Sequence, residues 1–410
     1  MLLSARPYAN ARDMNPPPTV RPAIPPASSA AVLVVDDVED NREVLAARLG
    51  ALGIDDVTMA VDGREALEAI ARRPFDLVLL DLMMPNVNGI QVLEALREQG
   101  RLEALPVIMV SASNEMTGVV RCIELGAEDY LTKPVNGTLL RARVGATLEK
   151  KRLRDALRAK LAQMDHELLL ARELQLGMVP PDFAAPDGTV ATHLLLEPAR
   201  QVGGDLCDCF PGPGDTLWFA IGDVSGKGAA AAIFMARTWS CLRSIALRAG
   251  DASGSPGAVL TAMNRELCEA NASSMFTTLF LGRLERGSGR VTYANAGHLP
   301  PLHLARGGGL AQLDDLPLPP VGAWPDTGYP TRQMQLGAGD ALFAYSDGLT
   351  EAMNAGQEQW GEERLHALLA AGETQDGRAV LASLLSAVRE FTGDQPQTDD
   401  IAALLLRWKP

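Results

Sequence analysis

Residues 216–228 read TLWFAIGDVSGKG. An apolar run closes on an aspartate, and two glycines and a lysine follow within five residues. A phosphate-cradling nucleotide loop requires glycine, four residues, then Gly-Lys-Ser or Gly-Lys-Thr, whose hydroxyl reaches Mg²⁺. Here three residues separate Gly222 from Gly226-Lys227, and Gly228 stands where the hydroxyl is needed. The stretch therefore reads as a strand ending on a carboxylate, Asp223. Its surroundings decide the fold. FTTLFLGRL (276–284), RVTYANAG (290–297), DALFAYSDG (340–348) and IAALLLRW (401–408) read as further strands. Two long helical stretches interrupt them, AAAAIFMARTWSCLRSIALR (229–248) and SPGAVLTAMNRELCEA (255–270). Strand runs with segregated helices predict an α+β domain over 181–410, with two sheets packed together as a β-sandwich flanked by helices.

The N-terminal part has a different texture. VLVV (32–35), VTMA (57–60), DLVLL (76–80), PVIMV (106–110) and DYL (129–131) are strand candidates. Between them, EVLAARLGALG, EALEAIARR, GIQVLEALREQ and GVVRCIELGA place apolar residues three and four apart, as an amphipathic helix does. Five strands alternating with helices predict a doubly wound parallel sheet over 31–147, with its site at the carboxyl ends of the strands.

Between these domains, residues 148–180 hold no glycine or proline before Gly177 and are rich in helix formers. Leu157, Leu161, Met164, Leu168, Ala171, Gln175 and Met178 follow alternating steps of four and three, a short heptad seam. The expectation is a coiled-coil linker that makes a homodimer, with Lys150, Lys151, Arg152, Arg154, Arg158 and Lys160 on its solvated face. Residues 1–30, ending NPPPTVRPAIPPASSA, read as a disordered, proline-rich lead-in.

Composition narrows the function classes. At 410 residues the chain is long enough for two or three domains. A formal charge of −14 argues against nucleic acid as a partner, since backbone phosphates demand positive charge. No apolar run approaches a membrane span, and no signal peptide is evident. Five cysteines without framework spacing fit a reducing cytoplasm, the expected location. Cys207 and Cys209 lack the further ligands that a zinc site needs.

Two sets of polar residues carry chemistry. Asp36 and Asp37 end the first strand, Asp81 the third and Ser111 the fourth, while Lys133 follows the fifth. A parallel sheet gathers these ends on one edge, where clustered carboxylates favour a hard cation such as Mg²⁺. An aspartate beside that cation and an ammonium can attack a phosphoryl group whose oxygens they neutralise. The layout VVDD (34–37), LLDLMMPNVNG (79–89), MVSAS (109–113) and YLTKP (130–134) resembles the receiver domain of two-component response regulators. That resemblance implies phosphorylation of Asp81 by a sensor histidine kinase, with Mg²⁺ on Asp36, Asp37 and Asp81. It also implies a phosphoryl contact from Lys133 and a switch at Ser111 and Tyr130.

The second set is VGGDLCD (202–208), IGDVSGKG (221–228), YSDGLTEA (345–352) and TDDIAALLLR (398–407). Carboxylates without histidine or thiolate point to Mg²⁺ or Mn²⁺, and a pair of such ions can drive hydrolysis of a phosphate ester. With NAGH (295–298) between them, these motifs resemble the metal-dependent PP2C-type serine/threonine phosphatases, in the bacterial branch typified by SpoIIE and RsbU. The resemblance implies two Mn²⁺ or Mg²⁺ ions on Asp205, Asp223, Asp347 and Asp399, with Asp223 bridging and the Val224 carbonyl contributing. Asp400 is the alternative to Asp399. His298 is expected to bond a turn, and Lys227 and Arg200 either steer phosphate or are solvated. By the same resemblance, the substrate is a phosphorylated anti-σ factor antagonist. The competing expectation is an adaptor whose phosphatase-like domain is non-catalytic and captures a σ-factor regulator.

Overall fold

A computed structural model describes residues 30–112, 116–248, 254–269, 271–313, 317–371 and 376–410. The expected lead-in, apart from Ala30, lies outside the described residues. The chain divides between Ala162 and Gln163 into two compact units. Among the described residues, no helix is long and apolar enough to cross a membrane.

The first unit alternates strand and helix: β1 (Val32–Val35), α1 (Glu39–Gly50), β2 (Val57–Ala60), α2 (Gly63–Arg72), β3 (Leu77–Asp81), α3 (Gly89–Glu98), β4 (Val107–Ser111), α4 (Met116–Leu125) and β5 (Asp129–Thr132). The sheet is parallel, in the order β2-β1-β3-β4-β5. β1, β3 and β4 are buried along their whole length, because helices cover both faces and no solvent face calls for polar residues. Leu33 and Val35 face a core shared with Ile70, Val92 and Leu96, whereas Val32 and Val34 face Leu45, Leu49 and Leu140. The strand order reverses between β1 and β3, so the loops after these strands part and leave a crevice at their carboxyl ends.

Helix α5 runs from Gly137 to Leu176. It begins eleven residues before the expected linker start at 148, and Asn136 caps it by accepting from the Thr138 and Leu139 amides. The boundary drawn at 147/148 thus falls inside one unbroken helix, whose opening turns bury Leu140 and Val144 against the first unit. Of the basic residues expected on a solvated face, Lys150 and Arg158 are exposed, Lys151 and Arg154 are partly buried, and all four contact the first unit. Lys151 pairs with Asp76, Lys150 with Glu128 and Arg158 with Glu103, and Arg154 donates to the Glu103 carbonyl. Leu157, Leu161 and Met164 of the heptad seam are exposed, while Gln175 at its far end is buried.

The second unit comprises β6 (Phe183–Ala184), β7 (Val190–Glu197), β8 (Leu206–Pro211), β9 (Thr216–Val224), α6 (Ala229–Arg248), α7 (Pro256–Cys268), β10 (Thr277–Glu285), β11 (Arg290–Ala296), β12 (Leu302–Ala305), β13 (Gly309–Gln312), β14 (Arg332–Gln335), β15 (Ala341–Tyr345), α8 (Asp347–Thr350), α9 (Gly361–Ala371), α10 (Gly377–Thr392) and β16 (Ile401–Trp408). One sheet has the order β14-β11-β10-β9-β8, the other β13-β12-β15-β16-β7-β6. Their inner faces share Phe219, Ile221, Phe280, Leu404 and Leu406. The outer face of the first sheet packs Trp218 and Ala220 under α6 and α7, through Met235, Leu242 and Leu260. That of the second packs Phe343 and Leu405 under α9 and α10, through Leu365 and Leu384. β9 and β16, central in their sheets, are therefore buried on both faces, which explains their continuous apolar runs.

Antiparallel pairing sets the acidic motifs side by side. Leu206 pairs with Gly222, so Asp205 before β8 lies next to Asp223 near the end of β9. Tyr345 pairs with Ala403, so Asp347 after β15 lies next to Asp399 and Asp400 before β16. Gly222 allows the close approach of β9 and β10, since a Cβ there would fall 2.4 Å from the Thr278 carbonyl oxygen.

Candidate functional site

In the first unit, oxygens of Asp36, Asp37 and Asp81 lie within 4.8 Å of one another. Asp36 and Asp81 are buried and Asp37 is exposed, which leaves the triad open to solvent on one side. The Asp36 side chain accepts from the Val38 amide and the Asn41 side chain, and the Asp36 carbonyl accepts from Arg42. Lys133 reaches both buried acids, with Nζ 2.6 Å from Asp36 Oδ2 and 2.8 Å from Asp81 Oδ2. Burial holds the Asp81 carboxyl above its ordinary range, the Asp36 charge adds to this, and Lys133 opposes it. Burial alone would lower the Lys133 ammonium, but bonds to Asp36 and Asp81 outweigh it and raise the lysine. The Lys133–Pro134 peptide is cis. Ser111 is buried at the end of β4, and its carbonyl accepts from the Lys133 amide at 2.9 Å. Tyr130 lies on β5, partly buried against the core beneath α4. Gly89 is required directly behind the site: a Cβ there would lie 2.3 Å from the Asp81 carbonyl oxygen.

In the second unit, Asp205 is buried, and its Oδ2 accepts from Ser346 Oγ at 2.7 Å. Burial and the nearby Asp223 charge push the Asp205 carboxyl well above the usual range. Beside it, burial and then the charges of Asp347 and Asp399 raise the Asp223 carboxyl to about 7. Asp347 is raised too, by burial and then by Asp399. Several carboxylates thus compete for charge in one buried place, and a hard cation with oxygen ligands relieves this. Among the described residues, the tight three-oxygen grouping is found in the first unit alone.

Asp399 and Asp400 have different duties. Both oxygens of Asp400 are occupied, Oδ1 by the Ala199 amide at 2.8 Å and Oδ2 by the Gly204 amide at 2.6 Å. Asp399 instead pairs with Lys227, Nζ to Oδ2 at 2.9 Å, and the same lysine donates to the Thr398 carbonyl. Asp400 therefore braces the glycine turn, whereas Asp399 accepts from the Asp400 amide at Oδ1, 3.0 Å, and from Lys227 at Oδ2. Lys227 is tied to that aspartate, and Arg200 lends its carbonyl to Arg172. Asp208 takes no part: it faces α6 in a bidentate pair with Arg243, at 2.8 and 2.7 Å.

His298 bonds a turn. Its amide donates to Asn295 Oδ1, Asn295 Nδ2 donates to its carbonyl, and Nδ1 lies 3.0 Å from Thr278 Oγ1. Burial lowers the imidazole to about 4, so at neutral pH it is uncharged. Cys207 and Cys209 are packed between the sheets with their thiols pushed up by burial, Cys209 to about 12. Ser346 and Gln175 had no motif of their own. Ser346 could have been noticed from its place between a strand and Asp347. Gln175 had been assigned to a heptad.

The raised carboxyls of Asp205 and Asp223 predict a sign for stability against pH once divalent ions are chelated. A carboxyl whose folded pKa exceeds its unfolded value stabilises below the unfolded value and loses that contribution as pH rises through the folded one. With EDTA, the melting temperature of the second unit is expected to fall between about pH 5.5 and about pH 8, and Mn²⁺ should abolish the fall. A chelated protein that grows more stable over this range contradicts the assignment.

Residues 32–145 match the family model for the response regulator receiver domain, and residues 213–409 that for stage II sporulation protein E (SpoIIE). Response regulator PleD of Caulobacter vibrioides is 38% identical over 182 residues, which are 43% of this chain and 38% of PleD. The alkaline phosphatase synthesis transcriptional regulatory protein PhoP of Bacillus subtilis is 34% identical over 166 residues, 37% of this chain and 68% of PhoP. The chain thus spans well under half the length of PleD. Among solved structures, the SiaA-PP2C domain of Pseudomonas aeruginosa superposes with a TM-score of 0.53 at 20% identity, over 61% of this chain and 99% of that one. At that identity the likeness is one of fold.

Proposed function

Because the chain belongs to the response regulators and joins a receiver domain to a PP2C-type domain of the SpoIIE family, we propose that phosphorylation of Asp81 controls a metal-dependent protein serine/threonine phosphatase. The observation that carries this reading is the convergence of Asp205, Asp223, Asp347 and Asp399 at one end of the two sheets, with carboxyls raised by mutual repulsion. An adaptor with a non-catalytic domain has no use for four such groups.

Two divalent cations on these carboxylates would supply an acidified water and a clamp on the phosphoryl oxygens. The chain's own groups do the rest. Asp223, in contact with Asp205 and repelled by Asp347 and Asp399, is placed to serve both metal positions. Ser346 fixes the Asp205 carboxylate, and Asp400 fixes the turn in front of it. Lys227 holds the Asp399 carboxylate in place. His298, uncharged and engaged with Thr278, keeps the strand ends in order and gives up no proton. The proposed substrate is a phosphorylated anti-σ factor antagonist, as in the family that the C-terminal domain resembles.

At the receiver, Asp36, Asp37 and Asp81 would hold a Mg²⁺ ion, which would supply positive charge beside the phosphoryl oxygens as Lys133 does. An Asp81 oxygen would bond to phosphorus as the phosphorus bond to the donor's histidine nitrogen breaks. A sensor histidine kinase is the proposed donor. Asp81→Ala is expected to leave basal hydrolysis of a phosphoserine peptide within about twofold while abolishing its response to acetyl phosphate. A response retained in that variant would show that control does not pass through the receiver.

A further inference from the structure

The last turn of α5 is part of the acidic site's framework. Gln175 is 4% exposed, and its amide satisfies both backbone groups of one distant residue. Nε2 donates to the Gly203 carbonyl at 2.7 Å, and Oε1 accepts from the Gly203 amide at 3.0 Å. Two residues further on is Asp205. From the other side, the Asp400 carboxylate grips the same turn through the Ala199 and Gly204 amides. The packing leaves no slack, since a Cβ on Gly203 would fall 2.1 Å from Asp400 Oδ2. Near the same helix end, Arg172 donates to the Arg200 carbonyl at 2.9 Å. Residues 199–205 are therefore held between the end of α5 and the start of β16.

A buried backbone amide and carbonyl must each be paired, and a glycine turn has no strand neighbour to do this. A glutamine side chain can serve both at once, provided that the helix presents it at one height and one rotation. Each residue of an α-helix advances about 1.5 Å and turns about 100°, so a shift of one residue along α5 carries the amide out of reach. We infer that Gln175 is a positioning residue for Asp205, acting through the Gly203 turn that its amide holds from the end of α5. In the part that concerns cations, this inference rests on the reading of the Asp205 cluster as a metal centre.

The test uses the full chain with Gln175→Leu, Gln175→Glu and, as a control on the same turn, Leu174→Ala, whose side chain is 73% exposed in the wild type. Amide hydrogen exchange over 199–206 in EDTA-treated protein reads the turn directly, and titration calorimetry with Mn²⁺ reads the cluster. Gln175→Leu removes two buried hydrogen bonds and should speed exchange at Gly203 and Gly204 about tenfold, and weaken Mn²⁺ binding about tenfold. Gln175→Glu keeps the acceptor but loses the donor and should fall between Gln175→Leu and wild type. It also carries the test if Gln175→Leu does not fold. Leu174→Ala should match wild type in both measurements. Unchanged exchange and Mn²⁺ affinity in the Gln175 variants overturn the inference, as does an equal change in Leu174→Ala. If wild type takes up no Mn²⁺ but exchange still quickens in Gln175→Leu, the positioning stands and the metal reading falls.

Discussion

Asp223→Ala is expected to lower Mn²⁺-dependent hydrolysis of a phosphoserine peptide by about a thousandfold or more, since the loss of a metal centre removes several kcal/mol of transition-state stabilisation. The reason lies in where Asp223 stands. It lies beside Asp205, and the charges of Asp347 and Asp399 both act on it, so on the proposed reading its loss reaches both metal positions. The same change should have the opposite effect on the fold. Asp223 is raised to about 7 by burial and like charges, so at about pH 8 in EDTA its removal relieves repulsion and the protein should melt higher than wild type. A variant that loses turnover yet gains metal-free stability separates chemistry from folding. Turnover within about tenfold of wild type would sink the assignment of Asp223 to the metal centre.

Arg243→Met is expected to destabilise the second unit by about 3 kcal/mol, because it strands a buried carboxylate. Asp208 is fully buried, and the Arg243 guanidinium meets both its oxygens while stacking 4.8 Å from the rings of Phe210 and Trp239. Arg243→Lys keeps the charge but not the planar fork and should recover only part of the loss. The double change Asp208→Leu with Arg243→Leu removes the stranded charge and should be more stable than Arg243→Met alone. All five tryptophans lie beyond residue 163, so indole fluorescence in urea reports this unit within the intact chain. A loss below about 1 kcal/mol for Arg243→Met would mean that water reaches Asp208 once the arginine is gone.

The receiver's architecture was legible almost residue by residue. VLVV and the apolar part of PVIMV became β1 and β4, because strands buried on both faces announce themselves as unbroken apolar runs, and VTMA became the partly exposed edge strand β2. The order of Asp36, Asp81, Ser111 and Lys133 along the chain was enough to place them at one edge, since every strand of a parallel sheet ends on the same side. In the second unit, TLWFAIGDV and IAALLLRW were equally plain as β9 and β16. α9 and α10 escaped notice, as did the start of α5 at Gly137, because the helix runs unbroken through Gly145 and past the boundary drawn at 147/148.

The acidic motifs could thus be found from sequence, but their division of labour could not. Asp399 and Asp400 are neighbours of one chemical type; the amides of Ala199 and Gly204, about 200 residues away, make Asp400 a brace, while Asp399 holds Lys227. Lys227 changed from a phosphate-steering candidate to the partner of Asp399 by a contact across 172 residues. Gln175 fitted a heptad by spacing and proved to be the anchor of Gly203. Periodicity and turn chemistry are local, and they determine which segments are strands, which are helices and where each ends. Which polar atom meets which depends on how two sheets and a helix close on one another, and that was decided by the packing of their apolar faces.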